Sequence, residues 1–94
     1  VYKVPKIDSI EILGVTVRIE IDQYKLEVED ECDGLYCNKI IYLRKEYKSK
    51  KEYERVFFHE MIHATCDILG CQLDDTAEEV LANTISYVAM QHFF

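Results

Sequence analysis

From Val56 to Ala64 the chain is apolar except where His59-Glu60-Met61-Ile62-His63 places a carboxylate between two imidazoles four residues apart. On a helix, that spacing stacks both rings on one face, one turn above each other. They can then reach a single metal ion at roughly 2.0–2.1 Å per Zn–N bond. Glu60 stands where it can reach water at such an ion and act as general base. Polar groups in such apolar company need partners. The motif therefore constrains the whole fold. A catalytic zinc has three protein ligands, and the third should come from another element so that folding clamps the site.

The flanking sequence predicts that helix and its surroundings. Ser49 stands three before Glu52, a capping box, and Gly70 suits a left-handed C-cap, so a first helix should run from about Lys50 to Leu69. Tyr53, Phe57, Met61, Ala64 and Ile68 form its apolar side. A second helix should begin near Asp74 or Asp75, both good caps, and run towards His92, with Ala77, Leu81, Ile85 and Val88 as its core stripe.

Upstream of the helices, residues 1–8 read as an extended arm containing Pro5. Ile10–Leu13 reads as a short strand ended by Gly14. Val15, Val17, Ile19 and Ile21 alternate with polar residues, the period of a strand with one wet face. Leu26 and Val28 suggest another strand, Asp30–Asp33 followed by Gly34 reads as a turn, and Lys39–Arg44 as a further strand. Strands followed by two helices predict a single α+β domain over residues 1–94, with a small, mainly antiparallel sheet packed on the helix pair. The metal site is expected between the helices, beneath the sheet edge.

Composition excludes other classes. A formal net charge of -7 and the acidic residues interleaved with Lys45, Lys48, Lys50 and Lys51 argue against a nucleic-acid surface. No apolar run is long enough to span a membrane, and no leader is visible before Val1, so a cytoplasmic setting is expected.

The third ligand has two main candidates. Glu78 borders the apolar stripe of the second helix. Glu79 lies nearly opposite it, on a face with Ala82 and Ser86, whose small side chains permit a close helix approach. Amphipathicity leaves both open. Asp67, four after His63, is a lesser candidate from the first helix itself.

The segment from Ser49 to Ser86 resembles the core of the zincin metallopeptidases, specifically the gluzincin type with two His and a downstream Glu. Glu79-Val80-Leu81-Ala82-Asn83 resembles the Glu-x-x-Ala-Asn run of ImmA/IrrE-type peptidases. Small phage and prophage metallopeptidase-like proteins are similar over the whole chain, including the Ile-Leu-Gly strand end, the acidic turn with Gly34 and the Ile/Tyr/Leu strand. The resemblance implies Zn2+ held by His59, His63 and Glu79, with Asn83 orienting a ligand imidazole. It implies that the Lys39–Leu43 strand borders the cleft and pairs with a peptide or protein substrate. The expected chemistry is peptide-bond hydrolysis, with Glu60 taking a proton from water and passing it to the leaving amine. Tyr36, Asn38, Tyr42 and His92 are candidates for the donor that the tetrahedral intermediate needs. These 94 residues have room for the zincin core but not for the large domains of typical zincins. Two further expectations therefore stand beside catalysis: a non-catalytic, metal-stabilised protein-binding module, and a peptidase whose cleft a partner protein completes.

Cys32 and Cys37 are five apart, as are Cys66 and Cys71. Two disulfides, a four-Cys zinc site and reduced thiols all fit this count; without an export signal, reduced thiols are expected. Cys66, one turn past His63, is also a candidate neighbour of the metal.

Overall fold

A computed structural model describes residues 1–92. In chain order it contains β1 (Tyr2–Lys3), β2 (Ser9–Ile12), β3 (Val15–Ile21), a π-helical turn (Lys25–Glu29), β4 (Gly34–Cys37), β5 (Ile40–Leu43), β6 (Glu46–Tyr47), α1 (Lys50–Leu69) and α2 (Asp75–His92). The fold is α+β: a four-stranded sheet of order β2-β3-β5-β4 and a small antiparallel pair, β1 with β6, precede two packed helices. Two of the three pairings in the larger sheet are antiparallel, and the central one, β3 with β5, is parallel.

Alternation along β3 does what its pattern demands. Val17 and Ile19 are buried while Thr16 and Arg18 face water. Ile41 and Leu43 of β5 join them, and Tyr47, Tyr53, Val56 and Ala64 close the core from β6 and α1. The expected apolar side of α1 lies against this sheet: Phe57, Met61 and Ile68 pack on the same cluster. Tyr53 also stacks among Tyr2, Tyr47 and Phe57, with ring centroids 5.3–6.1 Å apart. The extended arm is thus pinned at its start by β1.

Both ends of α1 form as their residues dictate. Ser49 Oγ accepts a hydrogen bond from the Glu52 N–H at 3.1 Å, and Gly70 adopts a left-handed φ of 67°.

Three expectations are corrected. The Leu26/Val28 segment is not a strand. The Asp22 side chain accepts from the Lys25 N–H at 3.0 Å and starts a π-helical turn that buries Leu26 completely. A run of five residues supports either period, and this local side-chain bond favours the turn.

The expected turn is present as bends at Asp30, Cys32 and Asp33, and Gly34 then opens β4, which folds back on β5 through Asn38 and Lys39, both at positive φ. That is the two-residue hairpin geometry. Consequently β5, the expected cleft-side edge, lies inside the sheet, and β4 takes the edge.

The stripe of α2 is also reversed. Leu81, Ile85 and Val88 are 37–45% exposed, and Ala77 is exposed, whereas Ala82, Ser86, Ala89 and Met90 are buried. Small residues, with Met90, and not the expected large stripe, are the buried ones.

Candidate metal centre

Helix α1 presents His59 and His63 one turn apart towards α2, which answers with Glu78 and Glu79 in its first turns. Glu79 reaches both rings: one oxygen lies 2.9 Å from His59 Nε2 and the other 3.0 Å from His63 Nε2. The two Nε2 atoms are 3.1 Å apart. Among the described residues, His59, His63 and Glu79 are the group whose ligand atoms converge closely enough to hold a metal. Zn–N bonds of ~2.0–2.1 Å in a tetrahedral shell set donors about 3.3 Å apart, close to the separations found here.

The donor chemistry also fits a cation. His63 Nδ1 stands 2.8 Å from Glu78, and a carboxylate can only accept there, so that nitrogen carries a proton. In the neutral ring, His63 Nε2 is then a lone pair aimed at a Glu79 oxygen and at a second imidazole nitrogen. Acceptors facing one another at about 3 Å repel unless something positive lies between them, whether a proton or a metal ion. Glu78 thus holds the His63 ring, as carboxylates behind metal-binding imidazoles do.

The implied role of Asn83 is corrected. Its residue lines the cleft, but among the described residues no hydrogen bond joins its side chain to either imidazole. Asp67 turns elsewhere: it accepts from the Tyr36 hydroxyl at 2.5 Å and faces Lys39 at 3.9 Å.

Electrostatics follow from this packing. Burial pushes the Glu60 carboxyl up to about 7, helped by Glu79 and opposed by His63 and by the backbone N–H of Tyr36. Burial also lowers His59, with the carboxylate of Glu79 pulling the other way. For His63, burial acts downwards, but the Glu78 bond and the charges of Glu60 and Glu79 outweigh it and leave the ring above its usual value.

The cleft over these residues has a volume of about 560 Å³ and is walled on one side by Asp33, Gly34, Leu35 and Tyr36. Gly34 is what lets β4 come so near. A Cβ there would stand 2.6 Å from a Val56 methyl and 3.2 Å from Glu60 Oε2. No protein-family model, curated protein or solved structure matches the chain.

Of the candidate oxyanion donors, Tyr36 lines the cleft, but its hydroxyl is engaged by Asp67. Burial and that bond raise the phenol to about 12. Asn38 lines an adjoining hollow, and Tyr42 and His92 line neither. Sequence reasoning missed Arg55, the one permanent cation among the described lining residues. Its position four before His59, on the same helix face, was the available signal. It also missed the close approach at Gly34, for which the sequence offers no signal beyond the glycine itself. The described residues contain no helix long and apolar enough to cross a membrane.

Proposed function

We propose that this chain is a minimal zinc-dependent metallopeptidase core of the zincin type, with His59, His63 and Glu79 as ligands and Glu60 as general base. Support comes chiefly from the convergence of three groups able to act as metal ligands, from two helices, on one point beside a buried carboxyl. A zinc ion held there would supply Lewis acidity, polarising a substrate carbonyl and lowering the pKa of water towards ~7. Glu60, whose proton affinity is matched to neutral pH, would accept the proton of the attacking water and return it to the leaving amine. Glu78 would keep the His63 ring turned towards the ion. An extended peptide would lie along β4, whose outer edge has no strand partner in the sheet and whose first residues wall the cleft. Arg55, at the cleft wall, would face a substrate carbonyl or carboxylate.

One observation favours a second reading, a metal-stabilised module that binds a protein without cleaving it, or that needs a partner to complete its cleft. Leu81, Ile85 and Val88 leave an apolar strip on the outside of α2. Elemental analysis of purified and zinc-reconstituted protein, paired with hydrolysis of a peptide library, separates these readings. The peptidase reading expects about one zinc per chain and cleavage that Glu60→Gln abolishes while zinc is retained. Bound zinc with no cleavage, or cleavage that Glu60→Gln leaves intact, would overturn it.

A further inference from the structure

The last turn of α1 closes in a Schellman motif. The Gly70 N–H donates to the Asp67 carbonyl at 3.1 Å, and the Cys71 N–H donates to the Cys66 carbonyl at 2.9 Å. This motif characteristically brings together the side chains of its first and sixth residues, usually as an apolar contact. Here both are cysteines. A carbonyl arm, that hydrogen bond and an N–Cα bond reach about 7 Å only if laid in a straight line; the bends at carbonyl and amide shorten the path into disulfide reach, and the two thiols are near enough to share a hydrogen bond. All four cysteines are free thiols in this structure.

The other pair has the same spacing and the opposite geometry. Cys37 ends β4 and Cys32 lies before its start. The extended strand alone puts about 10 Å between the Cα atoms of Gly34 and Cys37. In addition, the Cys32 carbonyl is held by the Arg44 guanidinium at 2.9 and 3.1 Å.

We propose that Cys66 and Cys71 are a redox modification site, a dithiol that the helix end holds ready to close into a disulfide on meeting a low-molecular-weight disulfide such as oxidised glutathione. Exposed Cys71 meets the oxidant first. Its thiolate attacks one glutathione sulfur, the glutathione S–S bond breaks, and one glutathione thiolate leaves. Buried Cys66 then loses its proton and attacks the Cys71 sulfur, expelling the second glutathione thiolate and forming the protein S–S bond. Two thiol protons and two electrons have left the protein, and one disulfide has become two thiols. Burial raises the Cys66 thiol, with its neighbour Cys71 adding to the effect, which suits Cys66 to the second step. The pair shares a hollow with His63 and Glu78, so the new bond would form in the wall behind the candidate metal centre. The proposal does not depend on that centre holding a metal.

The test equilibrates the whole chain in glutathione buffers of graded ratio, then alkylates remaining thiols and maps them by peptide mass. The same titration is run on the chain unfolded in urea. The expected result is a single Cys66–Cys71 disulfide, with Cys32 and Cys37 still alkylated. Half-oxidation should need at least ~10-fold less oxidised glutathione than in urea, because the folded turn holds the sulfurs together. Cys71→Ser should leave Cys66 open to alkylation at every ratio. A first disulfide that involves Cys32 or Cys37, or a folded chain that oxidises no more readily than the unfolded one, would overturn the proposal.

Discussion

Helices α1 and α2 are similar in length and each carries an apolar stripe, yet only α1 buries it. Its large residues meet the sheet, and its opposite face carries the imidazoles to α2. In α2 the expected stripe of Leu81, Ile85 and Val88 stays partly in water, while Ala82, Ser86, Ala89 and Met90 are buried. The two helices differ in what lies opposite them. The sheet offers α1 an apolar surface, so hydrophobic burial sets its rotation. What α1 offers α2 is a face bearing His59 and His63, so carboxylates and small side chains are drawn inwards. A buried His59 and a half-buried His63 left without partners would cost more than an exposed Leu and Val recover by burial. A helix can therefore be oriented by polar chemistry against its own amphipathicity.

The contrast can be broken most sharply at the site itself. Glu60→Gln should lower turnover by about 10²–10⁴-fold with zinc retained, in a steady-state peptidase assay. His63→Ala, on α1, and Glu79→Gln, on α2, should each abolish zinc binding by elemental analysis. Glu78→Gln should only weaken it, by roughly 10–100-fold. If Glu78→Gln proved as damaging as Glu79→Gln, the division of labour within α2 would be wrong.

Next in size is a pH effect in the metal-free protein. The Glu60 carboxyl sits near 7 in the fold against an ordinary 4.5, so the native state holds that proton more tightly than the unfolded chain does. Its contribution is full below the lower value and is lost as pH climbs through the upper one. Glu60→Gln should therefore stabilise the metal-free chain by up to ~3 kcal/mol near pH 8 and not near pH 4, in urea melts at both pH values.

Packing provides the third comparison. Ala82 is fully buried, so Ala82→Leu should overpack the helix interface and cost about 1–3 kcal/mol. Leu81→Ala, one residue along, should change stability by no more than ~0.5 kcal/mol. Were the expected stripe the packed one, the order of these two effects would reverse. Below the Ala82→Leu effect come the caps, where the helices agree. Ser49→Ala and Asp74→Ala each remove a side-chain acceptor from a first-turn N–H, at 3.1 and 2.7 Å, and each should cost about 1 kcal/mol by thermal or urea denaturation.

Much of this was legible in advance because its causes are local. The two-residue period of β3, the Ser49 and Gly70 boundaries of α1 and the imidazole spacing depend on residues within a few positions of one another. Glu79 came from resemblance, while helix periodicity left Glu78 equally open. In the structure both approach the imidazoles, Glu79 at the Nε2 atoms and Glu78 at the His63 Nδ1. Asn83 was placed behind a ligand by resemblance, and no bond of its side chain to either ring appears among the described residues.

The sequence by itself determined the helices, the β3 strand and the pair of rings that face one another across a turn, since each follows from short-range periodicity, capping and sterics. Tertiary structure alone decided which face of α2 turns inwards, that β4 rather than β5 walls the cleft, and that Gly34 lets a strand close on Glu60. Those outcomes depend on contacts between elements and not within them, such as Glu79 with His59 and Gly34 with Val56. There the cost of an unpartnered polar group outweighs the local preference of any single segment.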